Sequence, residues 1–297
     1  MIDGILNINK PTGMTSHDVV AKVRKLLKQK RVGHAGTLDP AASGVLPICV
    51  GQGTRVAEYL SESGKVYTAD ILFGVVTDTY DAEGSIVRTT STENLTLDQI
   101  EHVLPSFFGP QMQMPPLYSA IKLQGQPAYK RMRAGEEITL EPRPIIITQL
   151  DILTWQPPKL TLAIECSKGT YIRSLAYDLG ERLGCGAHLV GLVRTRSGPF
   201  SLSDSISLDQ LATSVENGTV EQYVHPSDSV LLQYPALMLD DGTTERVLHG
   251  NAFLYDIETK VELARVYDAI GRFVAIAEWD VEREMWQPTK VFAIGTG

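Results

Sequence analysis

The 297-residue sequence holds only three cysteines, Cys49, Cys166 and Cys185. They stand far apart and form no CxxC pair, which argues against a disulfide framework and a cysteine zinc site and leaves them as small buried hydrophobes. Long apolar runs are missing: the stretch from Pro144 to Ile147 is typical, far short of the roughly 20 residues that span a membrane. The opening residues, MIDGILNINKPTG, lack the basic-then-apolar order of a secretory signal, so a cytoplasmic protein is expected. No internal repeat or low-complexity tract is visible. A phosphate-cradling loop ending in G-K-[ST] is absent, as is the GxGxxG fingerprint of dinucleotide binding.

What is present is an ordinary globular composition, 43% apolar and 21% charged. The length exceeds one ordinary core and suggests a large domain with a smaller one. The net charge of -8 speaks weakly against nucleic acid. Its distribution says more. Residues 1–60 carry eight Lys or Arg against four acids, a net of +4, whereas residues 233–297 carry six against eleven, a net of -5. A nucleic-acid binder needs a basic face rather than a basic total.

Apolar spacing predicts a first helix over 16–30, with Val19, Val20, Val23, Leu26 and Leu27 on one face and Thr15 with Asp18 as its capping box. Its lysines and arginines suit either a solvated face at the negative end of a helix dipole or contact with RNA. Further helices are expected over 54–64, 96–104, 174–183 and 208–215, and strands over 66–73, 145–153 and 160–166, with another after the acidic turn TDTYDAEG. Residues 110–142 are proline-rich and then basic, an excursion from a core sheet. From about residue 234 short strands are expected to dominate: AFLYD, LARVYDAIGRFVAIAEW and KVFAIG.

The unusual stretch is GHAGTLDPAASGVLP, residues 33–47, with Asp39 among glycines and a proline. On chemistry alone a lone Asp there is a turn residue, although small neighbours leave room for a bulky ligand. The stretch resembles the catalytic motif of the TruB family of pseudouridine synthases. NKPTGMTSHDVV (9–20), KVYTADILFGVVTDTYDAEG (65–84), PPLYSAIKLQGQPAY (115–129), CSKGTYIRSLAYDLGERLGCGAHL (166–189) and LVRTRSGPF (192–200) resemble the family's other motifs, in the family's order. The dyskerin branch shares the loop, but the long basic tails of eukaryotic members are absent, and the chain is more similar to the bacterial stand-alone form.

The resemblance implies an α+β fold: a large mixed, mostly antiparallel sheet over residues 1–233, an RNA-gripping insertion at about 110–142, and a small β-rich PUA-like domain over 234–297. It implies conversion of uridine 55 of the tRNA T-loop to pseudouridine, without cofactor or metal, by a chain that acts as a monomer with no obligatory protein partner. Asp39 would be the catalytic carboxylate, attacking C6 of the base or removing a 2′ proton from the sugar; both need an ionised, positioned Asp. Arg173 would pair with Asp39, Tyr67 would stack on the uracil, and Tyr171 and Leu192 would line its pocket. His34 would take the place of the flipped base. Lys10 and Asp81 fall on motif positions near the site, and Lys122, Lys130, Arg131 and Arg133 of the insertion would contact phosphates.

Overall fold

The computed structural model describes residues 2–118, 122–123, 126–127, 140–257 and 261–292. Its centre is a ten-stranded sheet. In spatial order the main path runs β14 (Val224–His225), β1 (Gly4–Lys10), β3 (Ser43–Val50), β12 (Ala187–Ser197), β4 (Lys65–Phe73), β11 (Lys159–Cys166), β10 (Arg143–Gln156) and β7 (Gly109–Gln113). Two short strands, β2 (Val32–His34) and β13 (Phe200–Ser201), pair with β3 and β12. Every pairing is antiparallel except that of β3 with β12. Four further strands stand apart in two antiparallel pairs, β5 (Val75–Thr77) with β6 (Ile86–Thr89) and β8 (Lys122–Leu123) with β9 (Gln126–Pro127).

The β4 sequence KVYTADILF alternates buried and half-buried along its length, the period of a strand with one face on the core. By contrast β3, SGVLPICV, is buried almost throughout. A strand covered on both faces has no alternation to read, and the sequence pattern does not reveal it. One face of the sheet is covered by α1 (Ser16–Leu27), α3 (Leu97–Val103), α4 (Ile172–Arg182) and α5 (Leu208–Glu216), whose Val19, Ile100, Leu175 and Leu211 enter the main core. On the other side of β1 and β3, Ile5, Val45 and Cys49 join α2 (Ala57–Glu62) and the C-terminal residues Ile276 and Phe292 in a second core.

The C-terminal part forms a four-stranded sheet, β15 (Ala236–Met238), β16 (Leu263–Tyr267), β17 (Phe273–Asp280) and β18 (Met285–Val291), with α6 (Asp241–Leu248) against it. Two expectations are corrected here. AFLYD is no strand: Phe253 alone makes a bridge, to Trp286, while Leu254 points into solvent. The strand expected at KVFAIG begins earlier, at Met285, because Pro288 masks its start; β18 is an edge strand, where proline is tolerated, and residues 293–295 of that stretch lie outside the described residues. Helix α6 was hidden by its few apolar residues.

Helices α1, α3 and α5 begin at the capping boxes Thr15/Asp18, Thr96/Gln99 and Ser207/Gln210. The first helix stops at Leu27, short of residue 30, because Lys28 turns left-handed. Before α2 the chain runs as a 3-10 turn over Gly51–Val56. Helix α4 starts at Ile172, two residues before the expected 174, and so takes Arg173 into its first turn. No helix among the described residues is long and apolar enough to cross a membrane.

The parallel join of β3 to β12 fixes the site's floor. Arg194 of β12 lies opposite both Gly44 of β3 and Tyr67 of β4, and Gly44 lies opposite Lys10 of β1. Gly44 has φ +102°, and a Cβ there would stand 2.2 Å from the Arg194 carbonyl oxygen. Any side chain at this position both strains the backbone and pushes β12 away. Gly44→Ala is therefore expected to lower unfolding free energy by about 2 kcal/mol or more, whereas Gly33→Ala, with nothing within 4 Å of the new methyl, stays within about 0.5 kcal/mol. Urea titration of the two variants reads the difference.

Candidate active site

The chain between β2 and β3 carries Asp39, and its neighbours are held individually. The Ser16 hydroxyl, buried at the start of α1, accepts the Leu38 N–H at 2.9 Å and donates to the Leu38 carbonyl at 3.1 Å. On the other side the Pro40 carbonyl accepts from Gly13 N–H at 2.8 Å and from the Lys10 ammonium at 3.3 Å. Lys10 also donates to the carbonyls of Pro11 and Met14. Arg194, only 1% exposed, supports the loop from beneath: Nε donates to Val45 O at 2.7 Å, Nη2 to Gly36 O at 3.0 Å and Nη1 to Thr37 O at 3.4 Å. The backbone on both sides of Asp39 is thus fixed, while its side chain stays 44% exposed.

Arg173 aims that side chain. Its Nε lies 3.0 Å from Asp39 Oδ2, and its Nη1 lies 3.2 Å from Asp81 Oδ2. The guanidinium donates further to the Thr79 carbonyl at 3.3 Å and to the Tyr118 carbonyl at 3.0 Å. Asp81 is itself held, accepting from the Thr79 hydroxyl at 2.5 Å and from Glu83 N–H at 3.1 Å. A guanidinium with its donors so occupied has little freedom to turn, and its planar fork sets the carboxylate's orientation as well as its charge.

Asp39, Tyr67, Tyr171, Arg173, Leu192 and Arg194 line one cavity of about 390 Å³, within the range of pockets that enclose a small ligand. Arg143, Ser167 and Thr170 also line it. Tyr67 is nearly buried, and burial raises its phenol pKa above the usual value, against a hydrogen bond from Arg194 that lowers it. Lys65 is buried with its ammonium on the carbonyls of Leu60, Ser61 and Ser63; burial, aided by Arg194, brings its pKa down to about 8. Burial likewise lowers Lys10, with the charge of Asp39 acting in the opposite direction. Four cations, Lys10, Lys65, Arg173 and Arg194, therefore surround two carboxylates. That surplus attracts a polyanion.

The residues anticipated from sequence fall into three groups. Asp39, Tyr67, Tyr171, Arg173 and Leu192 share the cavity. Lys10 and Asp81 do not line it; they stand behind the loop and behind Arg173. His34 also lies outside it, with its ring edge-on to His17 at 5.2 Å between centroids and its Nδ1 buried without a partner among the described residues. Burial, helped by the neighbouring His17 and Arg194, holds the His34 pKa down at about 4, so the ring is neutral at pH 7. Lys130, Arg131 and Arg133 lie outside the described residues, and of Lys122 only its place in β8 is described. Arg194, Lys65, Ser16 and Gln113 escaped sequence reasoning. Arg194 sits in LVRTRSGPF beside Arg196, and a bulge between them sends one into the floor and the other to Glu165, which no period in the sequence reveals. Among the described residues no group of three or more His, Cys, Asp or Glu stands as a metal site.

Residues 24–172 match the family model described as TruB family pseudouridylate synthase (N terminal domain), and residues 173–232 match the tRNA pseudouridylate synthase B C-terminal domain. The chain is 43% identical over 291 residues to tRNA pseudouridine synthase B of Dehalococcoides mccartyi, covering 98% of this chain and 97% of that protein. It is 44% identical to the protein of the same name from Pseudomonas aeruginosa, covering 93% and 92%. Among solved structures, a chain of an H/ACA ribonucleoprotein bound to a substrate RNA containing 2′-deoxyuridine superposes with TM-score 0.75 at 26% identity, covering 99% of this chain and 86% of that one.

Arg173→Met would leave two neighbouring carboxylates without their shared cation. A broken buried pair costs roughly 3–5 kcal/mol, and the partial exposure of Asp39 places this one near the lower end. Arg173→Lys, which keeps a cation beside the two carboxylates but not the planar fork, is expected to recover part of the deficit. Melting curves of the two variants and the parent measure it; an equal deficit in both would show that packing and the fork, not charge, were lost.

Proposed function

Because the chain belongs to the TruB family of pseudouridylate synthases, we propose that it isomerises uridine 55 in the T-loop of tRNA to pseudouridine, with Asp39 as the reacting carboxylate. The observation that carries this reading is the Asp39–Arg173 pair at 3.0 Å on the wall of the 390 Å³ cavity: a carboxylate fixed in place, paired with a cation, and still open to a ligand. The chain is an enzyme of the isomerase class, and tRNA uridine is the substrate its relatives' names indicate.

The chemistry follows from what the cavity offers. A base within a folded RNA loop is stacked and must leave the stack to reach a side chain. The cavity receives it, with the Tyr67 ring on one side and Leu192 and Tyr171 around it, stacking being worth roughly 1–3 kcal/mol per base. Asp39 then either adds to C6 of the uracil or removes the 2′ proton of the ribose; both routes need an ionised carboxylate in a fixed position, and Arg173 supplies the positioning. The C1′–N1 bond breaks, the uracil turns, and C1′ bonds to C5. The proton lost from C5 passes to water, and N1 ends protonated. Nothing is oxidised or reduced overall, so the isomerisation requires no redox cofactor.

His34 is proposed to fill the gap that the flipped base leaves, and its neutral ring, held so by burial, costs less to stack on bases than a charged one would. Lys122, Lys130, Arg131 and Arg133 are proposed to hold phosphates. Residues 1–233 would form the catalytic domain and residues 234–297 a PUA-like module. The chain is proposed to act alone as a cytoplasmic monomer, without a guide RNA. The 43–44% identity to tRNA pseudouridine synthase B proteins, against 26% to the ribonucleoprotein chain, favours that reading.

The test uses an unmodified tRNA transcript tritiated at C5 of its uridines. Release to water is expected to map to uridine 55 and to fall at least about 1000-fold in Asp39→Asn, with tRNA still bound. Release that survives the substitution, or that maps outside the T-loop, would overturn the assignment. Biological function retained by Asp39→Asn without pseudouridine would make RNA folding, not isomerisation, the main task. Four phosphate contacts would further weaken tRNA binding roughly 100-fold from about 50 to about 200 mM salt. A flat response would remove the basic excursion from the binding surface.

A further inference from the structure

Helix α4 differs from its neighbours in what holds its N-terminus. Helices α1, α3 and α5 each carry a self-contained capping box. The N-cap of α4 is Tyr171, which makes no side-chain cap. Its first turn is instead tied to one short stretch at and beyond the end of β7. The Gln113 side chain accepts the Tyr171 N–H at 2.8 Å and donates to the Tyr171 carbonyl at 3.0 Å. Ser174, where the other helices have the returning acid or amide, donates to the Met114 carbonyl at 2.7 Å. Arg173, between them, donates to the Tyr118 carbonyl at 3.0 Å.

We propose that Gln113 is a positioning residue for the Arg173–Asp39 pair, acting through the backbone of Tyr171. Its own position is secure: it is 4% exposed and pairs with Arg143 in the β7–β10 ladder. Both polar ends of its amide grip one residue, as a strand neighbour would, and so fix the rotation of the chain entering α4. Arg173 follows two residues later, with its guanidinium committed to Asp39 and Asp81. A small rotation of that first turn moves Nε away from Asp39 before any helix bond breaks, and a misplacement of about 1 Å near the reacting atoms costs on the order of 100-fold in rate. The inference rests on the reading that Asp39 reacts and Arg173 aims it.

Two substitutions separate the contacts. Gln113→Glu keeps the size and the acceptor for Tyr171 N–H but loses the donor to its carbonyl. Gln113→Asn is one methylene short and cannot span both. Single-turnover tritium release is expected to slow about 10-fold in each, with tRNA affinity changed by less than about twofold. In an Arg173→Lys background the same changes are expected to cost less than about threefold more, because the geometry they protect is already lost. Full losses in both backgrounds, a loss confined to affinity, or unchanged rates would overturn the proposal. An active Asp39→Asn enzyme would instead overturn the catalytic assignment itself. An inactive Asp39→Asn enzyme beside full-speed Gln113 variants would leave that assignment standing and remove only the role of Gln113.

Discussion

A carboxylate proposed to react, as Asp39 is, must be charged, reachable and held still, and these demands oppose one another. Exposure lets a side chain move, and burial pushes it toward the neutral form. The structure separates the tasks by atom. Ser16 and Lys10 hold the backbone on either side of Asp39, so burial falls on the main chain. Arg173 holds the carboxylate from one edge and leaves the rest of it open. Asp81, Thr79 and Tyr118 in turn hold Arg173.

The cations around Asp39 make their bonds mostly to main-chain carbonyls. Lys10, Lys65 and Arg194 donate to Pro40, Met14, Leu60, Ser61, Gly36 and Val45, among others. A carbonyl satisfies a donor without cancelling its charge. At an effective dielectric of about 20, unit charges 4 Å apart interact by roughly 4 kcal/mol, well above the 0–1 kcal/mol of an exposed pair. The local surplus therefore governs the site, and the overall charge of -8 says little about what the cavity attracts. The acidic residues are densest in the C-terminal 65 residues, where eleven face six Lys or Arg.

How legible this was in the sequence depended on how local each cause is. The capping boxes at Thr15, Thr96 and Ser207 are short-range devices, and the one at Thr15 was readable directly from its spacing. The alternation of β4 was readable because one of its faces is more open. Strands β1 and β3 are covered on both sides, so their periods vanish. At the site, Asp39 and Arg173 were named only because several motifs stood in a familiar order. Nothing within 33–47 alone announces an arginine 134 positions away. Arg194 and Gln113 act through carbonyls and amides of distant segments, and such contacts leave no spacing to detect. The first turn of α4 was missed for the same reason: its cap comes from β7 and not from its own sequence.

The small C-terminal sheet bears on the cavity through one short helix. Ile276 and Phe292 share a core with Val56 and Leu60, and Lys290 reaches the Arg55 carbonyl at 2.9 Å and the Glu58 carboxylate. These contacts hold α2 and the 3-10 turn before it. The far end of α2 is closed by Lys65, whose ammonium takes the carbonyls of Leu60, Ser61 and Ser63, and Ser61 and Lys65 belong to the cavity wall. Lys65 lies two residues from Tyr67 on the same face of β4. A loosened C-terminal sheet would therefore be felt first at α2, then at the carbonyls that hold Lys65, and so at the wall beside Tyr67. The acidic part of the chain supports the cavity by packing against α2, a role for which its charge is no disadvantage.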